Sequence, residues 1–136
     1  MSTPCLIGIE RPHGRVESVY CHWDGYPSGV GATLATHYAS KAKAEEIIKG
    51  GSMSSLGHRY MTQDELDTIP MNERYDYAGK HDLTTTYKQW RNEDAPAMYH
   101  NLEEFVKFDD GTAYHYLFKD GGWWMYNGFD DYGVLM

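Results

Sequence analysis

Two stretches of alternating residues, one near each end of the chain, turn back on themselves at glycines, and any fold of this sequence has to house both as β-hairpins. The first runs over 5–10 (CLIGIE), turns at Arg11-Pro12-His13-Gly14, where Pro fixes φ and Gly permits a tight bend, and returns over 15–23 (RVESVYCHW). The second runs over 112–119, turns at Asp120-Gly121-Gly122 and returns over 123–126. Within 15–23, Val19, Cys21 and Trp23 share one face while Ser18, Tyr20 and His22 share the other. Each face carries a large ring, so this strand is expected inside a sheet.

Between the hairpins the period changes to helical. Val30, Leu34 and Tyr38 mark a helix over 29–38. Ser40 caps a second over 40–49, with Ala44, Ile47 and Ile48 inward, Gly50-Gly51 as its stop and a solvated lysine/glutamate face. Thr62 and Glu65 form a capping box for one or two turns before Pro70. Asn101 and Glu104 do the same for 101–108, where Leu102, Phe105 and Val106 face inward. Residues 52–57 read as a loop of small side chains and 70–96 shows no stable period, with 84–90 its one strand-like run; 127–136 reads as a loose tail. The expected architecture is α+β: one antiparallel sheet built from the N- and C-terminal hairpins and covered by helices on one face. At 136 residues, 1–136 is expected to be a single domain.

Charge narrows the partners. The formal net charge is −8, and residues 92–136 hold nine acids against Lys107 and Lys119, whereas the first 91 residues hold eleven acids and ten bases. An acidic surface repels a phosphate backbone and attracts a basic one, so direct nucleic-acid binding is not expected. No apolar run approaches the roughly 20 residues of a membrane helix and no basic-then-apolar leader opens the sequence, so the expected setting is the cytoplasm, without membrane contact. Cys5 and Cys21, on neighbouring strands, are expected as buried thiols.

No motif names a reaction. Cys21-His22-Trp23-Asp24 is the best nucleophile candidate, yet adjacent strand residues point to opposite faces, so a dyad would need His37 or His115 to approach from elsewhere. His22, Asp24 and His37 are the nearest approach to a metal set, without HExxH or CxxC spacing. The expectation is no catalytic centre, no metal and no cofactor. Trp23, Tyr26, Trp123 and Trp124 are expected at one end of the sheet if the hairpins pair. The loop 24–29, rich in glycine between aromatic neighbours, offers a small-molecule or nucleotide-signal site from His22, Trp23, Asp24, Tyr26, Gly29 and Gly31, with backbone N–H groups near Gly29 to Gly31 available to a phosphate.

The segment Val19-Tyr20-Cys21-His22-Trp23-Asp24-Gly25-Tyr26-Pro27, with Gly31, Leu34, His37-Tyr38, the lysine/glutamate helix and Ser54-Ser55-Leu56-Gly57, resembles a family of small uncharacterised proteins of bacteriophages and bacterial mobile elements. The likeness covers about residues 5–57 and resumes at Tyr116-Leu117-Phe118-Lys119-Asp120-Gly121 with Trp123 or Trp124. Members often carry a Gly-Arg-Asp-Arg-Gly stretch in the middle, where this chain has Tyr77-Ala78-Gly79-Lys80-His81-Asp82. The resemblance implies a phage setting and no mechanism. Joined to the acidic C-terminal third, it leads to the expectation of a protein that binds and inhibits a basic host protein, such as a nucleic-acid-handling component of antiphage defence. The expected contact residues are Asp109, Asp110, Asp120, Trp124, Tyr126, Phe129, Asp130 and Asp131.

Overall fold

The computed structural model describes residues 3–87, 96–107, 114–127 and 134–136. Its element order is β1 (Cys5–Glu10), β2 (Val16–Trp23), α1 (Ala32–His37), α2 (Lys41–Gly50), β3 (Met53–Ser55), α3 (Gln63–Thr68), α4 (Arg74–His81), β4 (Thr85–Thr86), β5 (Ala97–Tyr99), α5 (Leu102–Lys107), β6 (Tyr114–Lys119), β7 (Gly122–Asn127) and β8 (Val134–Leu135). The strands form one eight-stranded sheet in the order β4-β3-β2-β1-β6-β7-β8, with β5 also paired to β2.

Both hairpins form. Cys5 stands opposite Cys21 in the first, and Tyr114 to Lys119 pair with Gly122 to Asn127 in the second. Asp120 (φ 52°) and Gly121 (φ 80°) both occupy the left-handed region, the turn geometry that matches the twist of a two-residue hairpin. The hairpins also join in one sheet, but the expectation of a purely antiparallel sheet built only from them is corrected. β1 runs parallel to β6 (Cys5 opposite Tyr114), β2 runs parallel to β3 (Cys21 opposite Met53), and three short strands from the middle of the chain and its last residues complete the array. The physical reason is burial on both faces: Leu6 faces one side of β1 and Cys5, Ile7 and Ile9 the other, all nearly inaccessible, as a central strand in a parallel pairing requires.

Each face has its own core. Cys5, Ile7, Val19, Cys21 and Tyr116 pack under Leu34 and Tyr38 and under Ala44, Ile47 and Ile48 of α2. Leu6, Val16, Leu117 and Tyr126 pack against Phe105 and Val106 of α5 on the opposite face. Helices therefore lie on both faces. Arg11 ties α2 to the first hairpin, donating to both carboxylate oxygens of Glu45 (2.6 and 2.7 Å) and to Glu17 (2.9 Å), so the lysine/glutamate face is not wholly solvated.

A third cluster, Met61, Ala78 and Leu83 with Leu66, Ile69 and Tyr77, joins α3 to α4. The Thr62–Glu65 capping box forms as expected. The Glu65 carboxylate also accepts from Arg59 (2.7 and 3.1 Å), Tyr77 Oη (2.6 Å) and the Thr62 N–H (2.8 Å). Those donors, Arg59 first, hold its carboxyl well below the usual carboxylate range. Among the described residues no helix is long and apolar enough to cross a membrane.

Candidate binding cleft

A cleft of about 410 Å³ opens where β2 and β3 end. The sheet contributes Trp23, the last residue of β2, with Asp24 after it, Ser55 and Leu56 at the end of β3, and Thr85 of β4. The opposite wall is α4, which presents Tyr75, Ala78, Gly79 and its left-handed C-cap Asp82, and the third side is closed by Val30, just before α1, and Thr33 in its first turn. Trp23 is 42% exposed and Tyr75 48%, unusually open for rings of that size. Among the described residues, none of those lining the cleft is Lys, Arg or His, and two are Asp.

The loop from Trp23 to α1 is held by its own backbone. The Gly25 N–H donates to Thr3 O (2.7 Å), Val30 to Asp24 O (2.9 Å), and Gly29 and Gly31 to Tyr26 O (2.9 and 3.3 Å), while Tyr116 Oη donates to Gly25 O (2.8 Å) from the sheet beneath. Burial pushes the Tyr116 hydroxyl's pKa up, so it remains a donor. Gly29 is required by close approach: a Cβ there would stand 2.6 Å from Asp24 O. This pairing alters one expectation, because the N–H groups of Gly29, Val30 and Gly31 are already spent inside the loop and do not project toward a phosphate.

The far wall is fixed by a closed ring of three hydrogen bonds. Tyr38 Oη donates to Gly57 O (2.8 Å), the Gly57 N–H donates to Thr84 Oγ1 (3.0 Å), and Thr84 Oγ1 lies 3.3 Å from Tyr38 Oη. Since the tyrosine's only hydrogen goes to Gly57, Thr84 must donate to Tyr38. Burial pushes the Tyr38 hydroxyl up to about 12. A Cβ on Gly57 would collide with the backbone of Asp82 and Leu83, so only glycine lets this wall close on the C-terminus of α4.

The residues singled out from the sequence separate. Trp23, Asp24 and Gly29 line the cleft together. His22 projects from the other face of β2, its Nδ1 2.8 Å from Tyr20 Oη. Tyr26 is exposed beside Tyr114, ring centres 6.4 Å apart, and Gly31 is buried near Tyr116. The gathering of Trp23, Tyr26, Trp123 and Trp124 at one sheet end does not occur. Parallel pairing places Tyr114 beside Cys5 at the Trp23 end, so Trp123, opposite Phe118, lies at the far end with Ile9. There Asp120 is exposed in its turn and Trp124 is half-buried beneath Lys119 Nζ (5.0 Å from the ring centre), whereas Tyr126, opposite His115 toward the Trp23 end, is 1% exposed and belongs to the core. Asp109, Asp110, Phe129, Asp130 and Asp131 lie outside the described residues.

Cys21 Sγ contacts Trp23 O (3.4 Å) and not an imidazole, while His37 packs near His58 and His115 against Phe105. Both cysteines are free and buried, and burial raises the Cys5 thiol's pKa. Among the described residues no group of three or more His, Cys, Asp or Glu stands together to hold a metal ion. The sequence missed Tyr75, Gly79 and Asp82; its only hint was the concentration of tyrosines in a stretch without apolar period. Comparisons with protein-family models, curated proteins and solved structures find no match to this chain.

Proposed function

We propose that this chain acts by binding a protein with a basic surface, in keeping with the phage-type setting implied by residues 5–57, and that the Trp23 cleft is part of the contact. The observation that carries this reading is the chemistry of the cleft: two half-exposed aromatic rings and two carboxylates, with no cationic side chain among the described residues that line it. A net charge of −8 adds attraction at longer range and speeds encounter with a basic partner. Open Trp and Tyr rings supply the anchors that charge alone does not. The exposed Asp120 turn extends the acidic surface to the other end of the sheet.

The test is a pull-down from bacterial lysate with the whole chain at low and moderate salt, repeated with Asp24→Lys/Asp82→Lys and with lysine at Asp109, Asp110, Asp130 and Asp131. Retention that falls with salt and with either set of reversals supports the reading. Retention indifferent to salt and to both sets overturns it.

A second reading, sequestration of a small molecule, is favoured by the cleft's size, about 410 Å³, which falls within the range of small-ligand sites. Its test is a thermal-shift screen against nucleotides and cyclic nucleotides. A shift abolished by Gly79→Leu, which would fill the cleft, establishes it, and no shift with any of them removes it.

A further inference from the structure

Resting on the reading that the partner is basic, we propose that the cleft is a receptor for a guanidinium group, and that its source is an arginine side chain of the partner. The polar lining is rich in acceptors. Asp24 and Asp82 are acceptor-only as carboxylates, and Thr33 has committed its hydroxyl hydrogen to Gly29 O (3.1 Å), so it turns lone pairs to its surroundings.

Asp82 remains usable despite its neighbour His58. Nδ1 of that ring lies 2.7 Å from the Asp82 carbonyl oxygen, which can only accept, so Nδ1 carries a proton directed at the backbone. The carboxylate, 3.6 Å from Nδ1, stays 79% exposed. A ligand matching this lining must be donor-rich and positive, and the guanidinium group has five donors and no acceptor.

The rings decide between cations. A guanidinium is planar and weakly hydrated, so it stacks on an aromatic face with less desolvation cost than an ammonium. Trp23 and Tyr75 offer such surface on opposite walls. Gly79 also lines the cleft, and a Cβ built there meets nothing within 4 Å, so a larger side chain can be introduced at that wall without a clash at its base. Among the described residues of the lining, a phosphate-bearing ligand finds neither a cationic side chain nor a free N–H from Gly29 to Gly31.

The test is an NMR titration of the full chain, read at the Gly79 amide and the Trp23 indole N–H. The probes are N-acetyl-arginine methylamide, its neutral isostere N-acetyl-citrulline methylamide, and AMP. Capped arginine should shift both reporters, with citrulline at least about tenfold weaker and AMP without effect. Trp23→Ala should weaken the arginine probe by about five- to tenfold, the scale of a partly desolvated cation–π contact. Asp24→Asn should also weaken it, and Gly79→Leu should abolish it at a melting temperature no lower than the parent's, since leucine is the better helix former. Arginine and citrulline binding alike, or arginine leaving both reporters unmoved, overturns the inference.

Two further arms separate the source and the parent reading. A capped Gly-Arg-Gly peptide binding at least about fivefold tighter than free agmatine supports a protein side chain, whereas the reverse order overturns that assignment in favour of a free metabolite. If pull-down is lost on reversal of the C-terminal acids yet unaffected by Gly79→Leu, the guanidinium site fails while partner binding stands.

Discussion

Tyr38→Phe should cost this protein about 2 kcal/mol, although it removes a single oxygen from a fully buried ring and creates almost no cavity. Oη closes the ring of hydrogen bonds through Gly57 and Thr84, and its loss leaves the Gly57 carbonyl without its donor and the Thr84 hydroxyl without its acceptor. An unpaired buried polar group costs about 1–3 kcal/mol, and partial relaxation of the two places the sum near the middle of that range. For a chain of 136 residues this is a fall in melting temperature of about 6–8 °C. Urea unfolding followed by circular dichroism measures the free energy directly. Thr84→Val supplies the second edge of a double-mutant cycle. In the double variant the Thr84 hydroxyl is gone and no longer unpaired, so the two losses should fall short of additivity by about 1 kcal/mol. A Tyr38→Phe cost under about 0.5 kcal/mol, or strict additivity with Thr84→Val, would refute the closed ring and with it the account of how the Gly57 wall is held.

Gly79→Ala should stabilise the chain by about 0.5–1 kcal/mol, since Gly79 sits in α4 with open space around its Cα; a melting curve at or below that of the parent would contradict the helix. Cys5 and Cys21 should react with a thiol reagent at pH 8 only as fast as the protein unfolds, because both are buried and burial raises the Cys5 thiol; rapid labelling of two thiols in the folded chain would refute that packing. Glu65 has a folded pKa below its unfolded value, so its stabilising contribution is complete above the unfolded carboxylate range, roughly pH 4.3, and is lost as pH falls from there toward the folded value. Glu65→Gln should lower the melting temperature at pH 7 and narrow that difference on acidification; a constant difference between pH 6 and pH 2.5 would show that the Arg59 and Tyr77 contacts contribute no linkage.

What could be read in the sequence was what is local. The first hairpin, the capped helices α2, α3 and α5 and the Asp120-Gly121 turn each announce themselves within about ten residues, through alternation, a cap or a glycine. The helix α4 did not, because it buries only Ala78 along its length while Tyr77 is half-covered, and one small inward residue makes no apolar period. Met53–Ser55 read as a loop because three small or flexible residues pair only when β2 and β4 already flank them. Parallel pairing of β1 with β6 was not legible either: a strand buried on both faces carries the same residues whichever way its neighbour runs. The cleft divided along the same line. Its sheet-side residues stood in a conspicuous loop, and its helix-side residues stood in the stretch without period.

The position of the cleft follows from the one topological feature that local pattern could not supply. Because β2 and β3 are parallel, both chains leave the sheet at the same end, past Trp23 and past Ser55. Two segments leaving side by side cannot both continue over the same ground, so the first rises through Gly29 into α1 while the second turns through Gly57 toward α3, and a crevice opens between them at the carboxyl ends of the strands. In an antiparallel β2–β3 pair, β3 would enter the sheet at that end instead of leaving it, and the two outgoing segments would not diverge there. The glycines at 29 and 57 then mark its two lips, each demanded by backbone approaching within contact distance, and α4 roofs the gap with its smallest residues, Ala78 and Gly79. The space is therefore built by backbone approach that larger side chains would prevent. Filling it from Gly79 should change what the protein binds without changing how it folds, the separation on which the guanidinium test depends.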